Sequence, residues 1–101
     1  MSDTIEVGSE VLEDQEIKEP DSYQVILLND DITTMAYVID LLCRLFNKDL
    51  ETAQALTQRI HTTGRGICGI YTEEIAETKV RMVHKDARAA GYPLRCIMEK
   101  V

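Results

Sequence analysis

The join between Tyr23–Leu28 and Asn29-Asp30-Asp31 limits what this chain can fold into more than any other feature. A short run of aromatic, β-branched and aliphatic residues suits a strand, and three consecutive side chains with oxygen acceptors suit the turn that ends it. Thr33 is placed to cap a following helix by accepting a backbone N–H, which puts Met35 in the first helical turn beside those acceptors. An anionic lip next to an apolar wall results, suited to a ligand with a cation beside an apolar group. The plainer reading is a strand-to-helix turn and nothing more, and this segment alone leaves both open.

Downstream, Met35, Val38, Ile39, Leu42, Cys43 and Phe46 recur at helical spacing, a strong amphipathic pattern. Asp49 is placed to cap a second helix in which Leu50, Ala53, Leu56, Thr57 and Ile60 share one side, with His61 near its C-terminal end. Gly64 and Gly66 then supply the conformational freedom a reversal needs, but no GK[ST] follows them, so a phosphate-binding loop is rejected. Ile67–Tyr71 reads as a strand, and Thr72 as the cap of a third helix with Ala76, Val80, Val83, Ala87 and Ala90 inward. Gly91 and Pro93 stop that helix, and Leu94–Met98 alternates as a half-buried strand does. The expected fold is α+β: a two-layer sandwich of order β-α-α-β-α-β, with three helices on one face of a small three-stranded sheet. Strand order stays open. A one-helix crossover makes the last two strands parallel if they are neighbours.

Charge divides the chain in two. Residues 1–22 hold eight acidic side chains against Lys18 alone and account for the whole net charge of −7, so they are expected to form a flexible acidic N-terminal extension. Residues 23–101 form the core domain and balance ten acids with ten bases, which excludes a body built to grip nucleic acid. No run reaches membrane-spanning length and no basic, apolar leader opens the chain, so a cytoplasmic location, with no membrane partner, is expected. The cysteines, Cys43, Cys68 and Cys96, are widely spaced among apolar neighbours and read as reduced core residues. The histidines, His61 and His84, have no companions at ligand spacing, so no metal or other cofactor is expected; His84 reads as an exposed residue of the third helix.

Three blocks and one histidine, taken together, resemble the ClpS family: Leu28-Asn29-Asp30-Asp31-x-Thr33-x-Met35-x-x-Val38-Ile39, His61, Ile67-Cys68-Gly69-Ile70-Tyr71-Thr72 and Ala76-Glu77-Thr78-Lys79-Val80. The likeness runs from about Tyr23 to Lys100. It implies a non-enzymatic adaptor, monomeric in the bacterial cytosol, that captures N-degron substrates by their first residue and delivers them to a Clp AAA+ unfoldase of ClpA or ClpC type. By position, Asn29, Asp30 and His61 would surround the substrate's α-amino group. Met35, Val38, Ile60 and Leu94 would line the pocket for its side chain (Phe, Tyr, Trp or Leu), with Asp31, Thr33 and Thr57 beside them. Glu74 and Lys79 would dock on the unfoldase's N-terminal domain, although residue counting alone favours ordinary helix-surface charge. The chemistry agrees: a protonated amine has three donors, which a carboxylate, an amide oxygen and a neutral imidazole nitrogen satisfy.

Two positions depart from the family pattern. Thr57 stands where relatives often carry Met, which puts Leu binding in question, and Thr34 stands where many have a helix-starting Pro. Met35 is the expected steric gate against β-branched first residues. Binding is expected to peak near neutral pH, since a charged imidazole repels the ammonium in acid and the amine loses its charge in alkali. Two other readings compete. A ribosomal-stalk-like protein-binding module shares this element order but predicts no N-terminus pocket, and a small hydrolase using Asp30 and His61 lacks a nucleophile in a suitable motif.

Overall fold

The computed structural model describes residues 21–101, so the acidic residues 1–20 lie outside the described part of the chain. Six elements follow in the expected order: β1 (Ser22–Leu28), α1 (Met35–Leu45), α2 (Leu50–Thr63), β2 (Arg65–Thr72), α3 (Glu73–Ala89) and β3 (Arg95–Lys100). β1 therefore begins one residue before the boundary read from the sequence.

Strand β1 is the middle of the sheet, in the order β2-β1-β3, and pairs antiparallel with both neighbours. β2 and β3 consequently run parallel to each other across α3, but β1 is slotted between them. The two are not neighbours, and the conditional parallel pairing does not arise. Along β1, Val25 and Leu27 face the helices and join Val38, Leu41, Leu42, Phe46, Ala53, Ile60, Ala76, Val83 and Ala87 in one core. Ile26 points to the other face and is nonetheless 1% exposed. Its cross-strand partners are Ile67 and Ile97, and the Arg65–Glu99 ion pair at 3.0 Å joins the two outer strands across that face.

The helix ends show how local chemistry sets boundaries. Asp49 caps α2 by accepting from Thr52 N–H at 2.8 Å. Gly64 closes the same helix at φ 95°, a left-handed conformation that glycine adopts without Cβ strain. After α3, Gly91 at φ 85° lets Tyr92 N–H reach Ala87 O (2.9 Å) and its own N–H reach Arg88 O (3.0 Å), a Schellman closure.

Several expectations need correction. Thr34, not Thr33, caps α1, accepting from Tyr37 N–H at 3.2 Å, because Asp30 has already engaged the N–H and hydroxyl of Thr33. Thr72 occupies the N-cap position of α3 without a side-chain capping bond. Leu50 is 59% exposed, being the first residue of α2 and a turn ahead of the first buried position, Ala53. Ala90 lies beyond the last helical residue and is exposed. His84 is not a free surface residue: its Nε2 accepts the Cys96 N–H of β3 at 3.0 Å.

Candidate functional site

A single backbone hydrogen bond assembles the mouth of the site. Asn29, the first residue after β1, donates its N–H to Gly64 O at 2.9 Å, tying the end of the central strand to the closing turn of α2. His61 sits three residues before that glycine, so the strand's exit and the histidine meet at one end of the fold. A cavity of about 200 Å³ lies there, lined by Asn29, Asp30, Asp31, Thr33, Met35, Val38, Thr57, Ile60 and His61.

Polarity is graded with depth. Asn29, Asp31 and His61 are exposed, Met35 is 39% exposed at the start of α1, and Val38, Thr57 and Ile60 are buried. All the residues expected at the pocket are brought together except Leu94. That residue is 1% exposed, belongs to the core, and does not form part of the cavity wall. It precedes β3, and its carbonyl instead accepts from Arg88 Nη1 at 2.8 Å.

Asp30 is held by its own turn. Oδ1 accepts from the N–H groups of Ile32 (2.8 Å) and Thr33 (2.7 Å), and Oδ2 accepts from the Thr33 hydroxyl (2.8 Å). Burial alone would raise its pKa, but these three bonds, helped by the more distant Arg88 charge, outweigh it and hold the carboxyl below the usual carboxylate range. Asp30 is thus an oriented anion, and a carboxylate has room for about four donors. Arg88 was missed as a member of this electrostatic environment. In the sequence it signals only a helix dipole, because its nearness to Asp30 arises across 58 residues of chain from the packing of α3.

Elsewhere the chemistry is different. A larger groove of about 510 Å³ beside β2 is lined by Arg59 and Arg65 with Leu56 and Ile67, and two guanidinium groups there oppose an ammonium ligand. Burial pushes the Cys68 and Cys96 thiols up to about 12, so neither is an activated nucleophile. On α3, Glu74 is exposed, whereas Lys79 is partly committed to the fold: its Nζ donates to Leu45 O at 2.6 Å, closing α1, and lies 5.5 Å and 5.7 Å from the ring centroids of Phe46 and Tyr71. None of the described helices is long and apolar enough to cross a membrane.

Comparison with known proteins places the chain in a family. Residues 18–97 match the family described as ATP-dependent Clp protease adaptor protein ClpS. Two curated relatives, both called ATP-dependent Clp protease adapter protein ClpS, are similar over nearly their whole length. The one from Oleidesulfovibrio alaskensis is 50% identical over 93 residues, covering 92% of this chain and 89% of the relative. That from Paraburkholderia xenovorans is 51% identical over 92 residues, covering 89% and 88%. Among solved structures, ClpS2 of Agrobacterium tumefaciens bound to L-phenylalaninamide superposes with a TM-score of 0.80 at 30% identity, covering 82% of this chain and all of that one. The chain belongs to the ClpS family of Clp protease adaptor proteins, and it is an adaptor, not an enzyme.

Proposed function

We propose that this adaptor binds the free N-terminal residue of N-degron substrates, with Phe, Tyr, Trp and more weakly Leu as first residues, and delivers them to a Clp AAA+ unfoldase in the bacterial cytosol. One observation carries the reading: a small cavity joins an oriented carboxylate, an amide and an imidazole at its mouth to Val38 and Ile60 at depth. An α-ammonium offers three donors and a positive charge to Asn29, Asp30 and His61. Enclosing the first side chain contributes roughly 1.5–3 kcal/mol, and neither half alone distinguishes a chain terminus from an internal residue. Met35 stands at the rim as the gate against β-branched residues. L-phenylalaninamide, the ligand of the Agrobacterium ClpS2 structure, combines a free amine with an aromatic side chain, which supports this assignment.

The test is fluorescence anisotropy of a labelled peptide beginning with Phe, repeated with the amine acetylated and with Val first. Binding should be lost in both controls; equal binding of the acetylated peptide would rule out recognition of a terminus. For delivery, Glu74→Ala should weaken binding to the unfoldase's N-terminal domain without changing thermal stability. Lys79→Ala should lower both, since its amine also holds Leu45 O. Unchanged unfoldase binding by both variants would move the docking surface away from this part of α3.

A further inference from the structure

The polar side chains of the pocket wall are at the mouth or already bonded, with one exception. Thr57 is 2% exposed, lies in the cavity wall, and its Oγ1 has no hydrogen-bond partner among the described residues. A threonine inside a helix commonly returns its hydroxyl to the carbonyl four residues back. Three others here do so: Thr62 to Gln58 O (3.0 Å), Thr63 to Arg59 O (2.7 Å) and Thr78 to Glu74 O (3.1 Å). Of these four, only Thr57 is buried, and the hydroxyl it turns to the cavity wall is left for whatever enters. An unpaired buried hydroxyl is costly, so its presence in a binding wall specifies part of the ligand.

Resting on the N-terminal-residue reading above, we infer that Thr57 selects a first residue whose side chain ends in a hydroxyl, tyrosine above phenylalanine. Reach supports a ring-borne group. Thr57 precedes His61 by four residues on α2, roughly 6 Å along the helix axis. With the amine held beside His61, a serine or threonine hydroxyl stops short of Thr57, whereas the para position of a ring projects toward it. Number of partners supports a phenol. Lysine or arginine would carry a charge between Val38 and Ile60 with one neutral oxygen to meet it, and a glutamine amide would bring more donors and acceptors than one hydroxyl can satisfy. A tyrosine hydroxyl both donates and accepts once, matching Thr57. Phenylalanine fills the same space but covers the Thr57 hydroxyl without bonding it, and a site with an unpaired polar group discriminates against such an analogue.

The deciding experiment compares peptides identical except for Tyr or Phe at the first position, each free and acetylated, on the full chain and on Thr57→Val and Thr57→Ser. Tyr should bind about fivefold to tenfold more tightly than Phe. Thr57→Val, close in shape but without the hydroxyl, should bring that ratio to about one, and Thr57→Ser should preserve the preference. Equal affinities in the unaltered protein, or a preference that survives Thr57→Val, overturns the assignment of Thr57 while leaving N-terminal recognition standing. Loss of both free peptides in the unaltered protein, or equal binding after acetylation, overturns the underlying reading as well. Should Thr57→Val not fold, as judged by circular dichroism, the unaltered ratio and Thr57→Ser decide the matter alone.

Discussion

Asp30 and Asp86 are both held below the usual carboxylate range, by opposite means. Asp86 lies on α3 and accepts from Arg44 Nη1 (2.9 Å) and Nη2 (3.0 Å) and from the Tyr37 hydroxyl. The Arg44 guanidinium, followed by the Tyr37 hydroxyl, lowers its pKa to about 2. Its charge is neutralised and both oxygens are committed to joining α1 to α3. Asp30 accepts only from neutral donors of its own turn, with Arg88 as a minor long-range influence. Neutral donors fix a carboxylate's direction without cancelling its charge. One carboxylate is closed by its salt bridge, while the other is oriented with its charge uncancelled, as the proposed ammonium binding requires.

Replacing each with its neutral amide should separate binding from stability. Asp30→Asn should weaken binding of a free N-terminal Phe peptide by about 10- to 100-fold, the range of a lost charge-assisted hydrogen bond. Its melting temperature should barely move, since the amide oxygen still accepts from Ile32 and Thr33. A large drop in stability with little change in anisotropy would make Asp30 a second Asp86. Asp86→Asn should do the reverse, costing about 1–2 kcal/mol in urea unfolding, discounted because Arg44 is 43% exposed, and leaving peptide affinity unchanged.

The same pair predicts an acid dependence. Asp86 has a depressed native pKa, so its stabilisation is complete above the ordinary Asp range near 3.8 and is lost as pH falls through about 2. The stability gap between the unaltered protein and Asp86→Asn should therefore narrow from pH 5 to pH 2; a constant gap would remove the salt bridge from the account. The smallest effect belongs to the α1 cap beside Asp30. Thr34→Ala should cost about 0.5–1 kcal/mol in the same unfolding measurement, while Thr33→Ala should instead reduce peptide binding by loosening Asp30.

Local chemistry made much of the site readable. Acceptors in Asn29-Asp30-Asp31 are consecutive, and the periodicity of α1 places Met35 and Val38 beside them. The sequence reading puts the α1 cap on Thr33, but Asp30 engages that residue and Thr34 caps the helix instead. Leu94 reads as a pocket residue by position, but it lies before β3 in the core and is not among the residues that line the cavity. His84 reads as surface until β3 is placed beside it and the Cys96 N–H needs an acceptor.

From the sequence alone came six elements, their order, most of their caps and the polar residue types at the cavity mouth, because turn chemistry and helical periodicity act over a few neighbouring residues. Tertiary structure alone decided that β1 is central, that Asn29 is tied to Gly64, and that Thr57 faces a cavity with its hydroxyl unpaired among the described residues. Each of these depends on groups far apart in the chain, and their distances are set by packing the helices on the sheet.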